Sequence, residues 1–269
     1  MNLEQDTLLA LAESPNFKKD KLAFAGRRSG LYRSRDAGKT WEAVNIIKGE
    51  SLSVTALAFT RDGLMFAALP GGVAYSNDAG ASWNWTQLAA PSPYVTALCV
   101  SPNFDKDKTL FAATLEDGVF RSVNGGRTWE GWNFGLLDKQ VLCLAMNHDT
   151  VFAGASIGLF RSDNSGRSWK EISLPVDDTV LSLGLLEAGL FVGTESSGLF
   201  VSADDGESWE TIKAIATEMP INAIRISAGK EASIRVAAGN TLLESIDVGK
   251  TWREIQVPDR DEPIMFIGR

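Results

Sequence analysis

The side chains of this 269-residue chain that could act on a ligand are arginines, one tyrosine and several carboxylates. Arg27, Arg28, Arg225 and Arg260 could grip an anionic group, since a guanidinium meets a carboxylate through two parallel hydrogen bonds. Tyr94 could act as a nucleophile beside a carboxylate. Asp117 and its acidic neighbours could supply the acid and base of glycoside hydrolysis, which needs two carboxyl groups across a cleft. The lone histidine, His148, follows Asn147 in a predicted turn and has no Cys or His neighbour, which suits neither metal ligation nor catalysis. Walker, Rossmann, zinc-binding and HExxH patterns are absent from the sequence, so no metal and no cofactor is expected.

What must position these groups is a repeat. Six copies of S-x-D/N-x-G-x-S/T-W begin at Ser34, Ser76, Ser122, Ser162, Ser202 and Ser245. Their third residues are Asp36, Asp78, Asn124, Asn164, Asp204 and Asp247, and they end on Trp41, Trp83, Trp129, Trp169, Trp209 and Trp252. The tryptophans are 42, 46, 40, 40 and 43 residues apart. A period of that size marks a propeller, a solenoid or a stacked array. The phrase has the chemistry of a tight turn. An Asp or Asn side chain accepts from backbone N–H groups just ahead of it. The Gly takes a positive φ, and the Ser and Thr hydroxyls cap further groups. The Trp is expected to bury its surface between repeats. All twelve of these Asp/Asn and Trp positions are therefore read as structural.

Each repeat divides into four short β-rich runs. In the second they are Ser53–Phe59, Leu64–Leu69, Val73–Ser76 and Trp83–Gln87, parted by Asp-Gly, Pro-Gly-Gly and the repeated phrase. Four antiparallel strands in some 43 residues make a propeller blade. The expected fold is all-β: one six-bladed β-propeller over 1–269. Its blades fall near 5–48, 49–90, 91–135, 136–175, 176–216 and 217–257, with the turn phrase joining strands 3 and 4. The tail, 258–269, aligns with the first strand of a further blade. It could latch the ring, add to an edge, or be the stub of a longer array.

First strands carry a small-large-small pattern, as in Ala56-Leu57-Ala58, suited to crowding near the propeller axis. Arg225 breaks it, and is expected to reach solvent or meet a carboxylate. Blades 1 and 3 share a turn, Ser14-Pro-Asn-Phe17 and Ser101-Pro-Asn-Phe104, expected to fold back on its own blade.

Hydrophobic residues make up 44% of the chain and charged residues 22%, the balance of a globular domain. A net charge of −8 opposes non-specific binding to nucleic acid or anionic lipid. No apolar run is long enough to insert in a membrane. The N-terminus lacks a secretory pattern, which implies a cytoplasmic protein if this N-terminus is native and an extracytoplasmic one if a leader was removed. Cys99 and Cys143 lie in apolar runs and are expected to be buried small hydrophobes.

The six phrases resemble the Asp-box, or BNR repeat, and the resemblance covers essentially the whole chain. That family includes sialidases, xyloglucan-cleaving glycosidases, sortilin-type receptors and photosystem II assembly factors. It implies a β-propeller without implying an enzyme. In such proteins the Asp-boxes lie away from the ligand face, so ligands are expected at the turns between strands 2 and 3 and at the blade links. Arg27, Arg28, Tyr94, Asp117, Arg225 and Arg260 are the candidates there. Against a sialidase, the Arg-Ile-Pro phrase is missing and the links are short. Against a xyloglucan enzyme, there is one propeller where two would be needed. The resulting expectation is a non-enzymatic protein-interaction or assembly scaffold whose partner is a protein or peptide. The alternative is a carbohydrate-active protein, a glycosidase or glycan binder, using the same face.

Overall fold

The computed structural model describes residues 6–90, 93–186, 189–215, 218–227, 233–256 and 263–267. Within these, short apolar runs bounded by Gly, Asp and Pro turns pair into six four-stranded antiparallel sheets. Blade 1 runs through Leu8–Glu13, Ala23–Arg27, Gly30–Ser34 and Glu42–Val44, each strand hydrogen-bonded to the next. The other blades repeat that order, giving a six-bladed β-propeller. The chain forms two compact units, three blades up to Asn133 and three from Phe134 onward.

The core lies between blades. Second strands supply it: Phe24, Phe66, Phe111, Phe152 and Phe191 are fully buried. Residues after each ring are small because the next blade presses on them. A Cβ added at Gly26 would lie 2.4 Å from the Val54 carbonyl oxygen, and one at Gly193 would lie 2.4 Å from Ile221 Cγ2. Phe24 and Leu31 of blade 1 pack with Val54 and Met65 of blade 2. Phe191 and Leu199 of blade 5 pack likewise with Ile221 and Ile234 of blade 6. Each such ring contributes about 1.5–3 kcal/mol by leaving water, and only stacking of neighbouring blades supplies that burial. First strands touch across blade boundaries within each unit, as expected for the strand nearest the axis.

The repeated phrase forms the turn between strands 3 and 4. In blade 1, Asp36 Oδ1 accepts from Thr40 N at 2.9 Å and from Ser34 Oγ at 2.8 Å, while Gly38 N donates to Ser34 Oγ at 2.8 Å. The same bonds recur at Asp78, Asp204 and Asp247. In blades 3 and 4 the amides of Asn124 and Asn164 donate to Thr128 and Ser168 where an Asp accepts. Positive φ is needed at two successive residues, the glycine and the one before it: Ala37 has φ 63° and Gly38 φ 86°. The tryptophans divide. Trp129 and Trp169 are buried, as expected, whereas Trp41, Trp83, Trp209 and Trp252 are only half-buried. All four half-buried indoles lie over the glycine of their own turn, and so does the buried Trp129. Trp41 and Trp252 donate to the carbonyls of Gly38 and Gly249 at 3.0 Å.

The shared turns do fold back on their own blades. Each forms one helical turn, Phe17–Asp20 and Phe104–Asp107, in which the Asp side chain accepts from Ser14 or Ser101. The Lys21 and Lys108 carbonyls then accept from Ala37 N and Gly125 N. In the tail, Ile264 N donates to the Gly239 carbonyl at 2.7 Å, as Val54 N donates to that of Arg27 at 3.0 Å. Ile264 thus meets blade 6 as a first strand meets the blade before it. No helix among the described residues is long and apolar enough to cross a membrane.

Candidate interaction face

The end of the blades opposite the Asp-box turns is built by the turns between strands 2 and 3 and by the residues leading into each first strand. In blade 1, Asp6 precedes the first strand and clasps the turn. Its carboxylate accepts from Ser29 N at 3.2 Å and from Ser29 Oγ at 2.5 Å, and its carbonyl accepts from Arg27 Nη1 at 2.5 Å. The Ser29 hydroxyl also meets the Tyr32 hydroxyl at 2.8 Å. Blade 4 repeats the clasp: Asp138 accepts from Ser156 Oγ at 2.6 Å and from the amides of Ile157 and Gln140. In blade 5, Asp178 accepts from Ser196 N at 2.9 Å, Ser196 Oγ at 3.0 Å and Thr179 N at 2.8 Å. Burial alone would raise the carboxyls of Asp138 and Asp178, but their hydrogen bonds outweigh it and hold both below the usual range. Each of these acids braces the end of its own blade. The clasp is a repeated device that the sequence shows only as scattered surface aspartates.

Arg27 is half-buried and committed to the Asp6 carbonyl, whereas Arg28 is exposed, with its amide donating to the Thr7 carbonyl. Tyr94 is 47% exposed. Its carbonyl accepts from Leu115 N at 3.0 Å, which seats it against the blade 3 turn holding Asp117. Asp117 is half-buried; its amide donates to Thr114 Oγ1 and its carbonyl accepts from Asn133 Nδ2. Arg27, Arg28, Tyr94 and Asp117 thus share one end of the first three blades. Arg225 lies in the first strand of blade 6, where Nη1 donates to the Ile267 carbonyl at 3.2 Å. One of its partners is therefore main chain of the tail, where the sequence pointed to solvent or a carboxylate. Arg260 lies outside the described residues.

Cys99 and Cys143 are half-buried rather than fully buried, and loss of solvation still pushes both thiols up to about 12. A thiol held so high is a poor nucleophile near neutral pH. Glu244, which sequence reasoning did not single out, is buried in the third strand of blade 6 between Arg253 at 2.6 Å and Arg235 at 2.9 Å. Hydrogen bonds from Arg253 and Arg235 hold its carboxyl below the usual range. Among the described residues no three His, Cys, Asp or Glu side chains gather as metal ligands.

The blades and the six turns define the class: an Asp-box β-propeller. The BNR/Asp-box repeat family matches residues 32–43, the third strand and turn of blade 1. No curated protein matches the chain in sequence. Solved structures match its fold. YCF48 from Cyanidioschyzon merolae is 16% identical with a TM-score of 0.65, over 93% of this chain and 85% of that one. A structure of YCF48 bound to D1 peptide is 16% identical with a TM-score of 0.67, over 93% and 82%. The GH74 xyloglucanase from Xanthomonas campestris is 15% identical with a TM-score of 0.74, over 93% of this chain but only 45% of its own.

Proposed function

We propose that this propeller is a non-enzymatic interaction or assembly scaffold that takes a protein or peptide at the face carrying Arg28 and Tyr94. The observation behind this reading is how the corresponding ends of the blades use their carboxylates. Asp6, Asp138 and Asp178 are spent on serine and backbone donors that lock the turns. A glycosidase needs one carboxyl raised enough to stay protonated near neutral pH. Every carboxyl whose titration is clearly shifted among the described residues is shifted downward.

A rigid rim with an exposed arginine and an exposed tyrosine suits protein contacts, where these two residue types carry much of the binding energy. The YCF48 structure holding a D1 peptide supports the idea that a propeller of this form can take a peptide. The xyloglucanase offers the competing idea, and this chain spans less than half of it.

The test is a panel of xyloglucan oligosaccharides and aryl glycosides, read for hydrolysis and, on a glycan array, for binding. No turnover and no glycan retained is the expected result. Turnover that is lost on changing a carboxylate of this face would overturn the reading.

A further inference from the structure

Clefts between neighbouring blades open at the Asp-box end, and in two of them an arginine spans the gap. Arg33, in the third strand of blade 1, donates to the Ala79 carbonyl of blade 2 at 2.9 Å. Arg161, in the third strand of blade 4, donates to the Asp205 carbonyl of blade 5 at 3.0 Å. Both arginines immediately precede the serine that opens the turn phrase. In blade 2 that position is Tyr75. A cleft of about 460 Å³ lies between blades 2 and 3, and one of about 440 Å³ lies beside the Arg161 bridge between blades 4 and 5, lined there mostly by charged residues.

The cleft between blades 2 and 3 is unlike its surroundings. Its floor is apolar, made of Leu64, Tyr75 and Phe104, with the exposed Val123 at its edge. Phe66 packs beneath it, its ring edge-on to Phe104 with centroids 5.8 Å apart and tilted against Tyr75 at 6.4 Å. Two cations stand over it: Lys108, with Nζ 5.3 Å from the Phe104 ring centroid, and Arg127. Neither makes an ion pair among the described residues. The one acid in the lining, Asp62, accepts from the Thr60 hydroxyl and is held low first by that bond, with the charge of Lys108 a lesser contribution. On a chain of net charge −8, an apolar slot lined by two cations and one acid carries a local positive excess.

We propose that the cleft between blades 2 and 3 binds an acidic peptide segment. One aromatic or branched side chain of the peptide seats on Leu64, Tyr75 and Phe104, and flanking carboxylates pair with Lys108 and Arg127. Charge complementarity fixes the occupant. An apolar ligand alone would leave both cations idle, and an anion alone would leave the slot unfilled. This site is on the Asp-box end, away from the face carrying Arg28 and Tyr94, and does not depend on what that face binds.

The test is fluorescence anisotropy with labelled Glu-Asp-Phe-Leu-Asp-Glu on the intact chain. Controls are Glu-Asp-Gly-Gly-Asp-Glu, which lacks the apolar pair, and Lys-Lys-Phe-Leu-Lys-Lys, which reverses the charge. Saturable binding is expected for the first peptide, with both controls at least about tenfold weaker. Arg127→Glu should weaken the first peptide at least about tenfold. Arg167→Glu, the same position in the fourth turn, should leave its affinity unchanged; both arginines are exposed, so neither change disturbs packing. No saturation up to millimolar peptide, equal binding of the three peptides, or equal loss in the two variants would each overturn the proposal.

Discussion

Gly80, in the Asp-box turn of blade 2, rests on the ring of Phe24 in blade 1: a Cβ at Gly80 would lie 2.8 Å from Phe24 Cε1. The contact recurs between Gly126 and Phe66 at 2.9 Å and between Gly249 and Phe191 at 3.2 Å, while Gly206 meets Ile172 at 2.9 Å. The glycine of the phrase therefore serves two demands. It supplies a positive φ for its own turn, and it lets the turn close onto the blade before it. The Asp-box is a fastener between blades as well as a turn within one.

Gly80→Ala should then cost roughly 2–4 kcal/mol, the sum of a positive-φ penalty and overpacking against a rigid ring. Phe24→Leu should cost stability alone but relieve part of the Gly80→Ala loss when combined with it. Urea unfolding of the two single variants and the double variant measures the coupling. Strict additivity would separate the glycine from the ring.

The tryptophans should not be equal. Trp169 is 4% exposed, and Trp169→Ala should cost roughly 3–5 kcal/mol. Trp41 is half-buried and hydrogen-bonded to its own turn, so Trp41→Ala should cost roughly 1–2 kcal/mol. Chemical denaturation orders them, and a loss at Trp169 below that at Trp41 would contradict the packing described.

Acid should loosen four turns and spare two. Bonds from Thr40, first its hydroxyl and then its amide, lower the Asp36 carboxyl from 3.8 to about 2. Asp204 and Asp247 are likewise held at about 2 by Ser208 and Thr251, and Ser82 lowers Asp78 too. A carboxyl depressed in the folded state favours folding above its unfolded pKa, and that contribution fades as pH falls through the folded value. Stability should thus decline from about pH 4–5 toward pH 2. Changing Asp36, Asp78, Asp204 and Asp247 together to Asn, the residue at 124 and 164, should flatten that decline. Thermal melts across this range check the slope.

How far the sequence reveals this molecule depends on whether a residue's role is local. The turn phrase is legible because each side chain answers a backbone group within four residues, as Asp36 answers Thr40. Six such turns at a steady period make the propeller and its blades readable. The Asp6–Ser29, Asp138–Ser156 and Asp178–Ser196 clasps are not, because their partners are 23, 18 and 18 residues apart. Nothing between them marks the pairing. The phenylalanine core is hidden for another reason. A strand buried on both faces has no alternation, so Ala23-Phe24-Ala25-Gly26 reads as any apolar run. The cleft between blades 2 and 3 is hidden likewise, because its lining runs from Asp62 to Arg127 and only the folded blades bring Leu64, Tyr75 and Phe104 together.

The tail should matter to blade 6. Ile264 bonds the Gly239 carbonyl, and Asn222 Nδ2 and Arg225 Nη1 donate to the carbonyls of Ile264 and Ile267. A chain ending at Gln256 loses these bonds. Its stability should fall by about 1–3 kcal/mol, seen as a lower melting temperature. An unchanged melt would show that the tail adds nothing.

The most direct test of the scaffold itself is affinity capture from the native host, with the captured protein then purified and titrated against wild type and an Arg28→Glu/Tyr94→Ala double variant. One protein should bind wild type saturably and the variant at least about tenfold more weakly. Equal binding by both, or recovery of glycans in place of a protein, would contradict it.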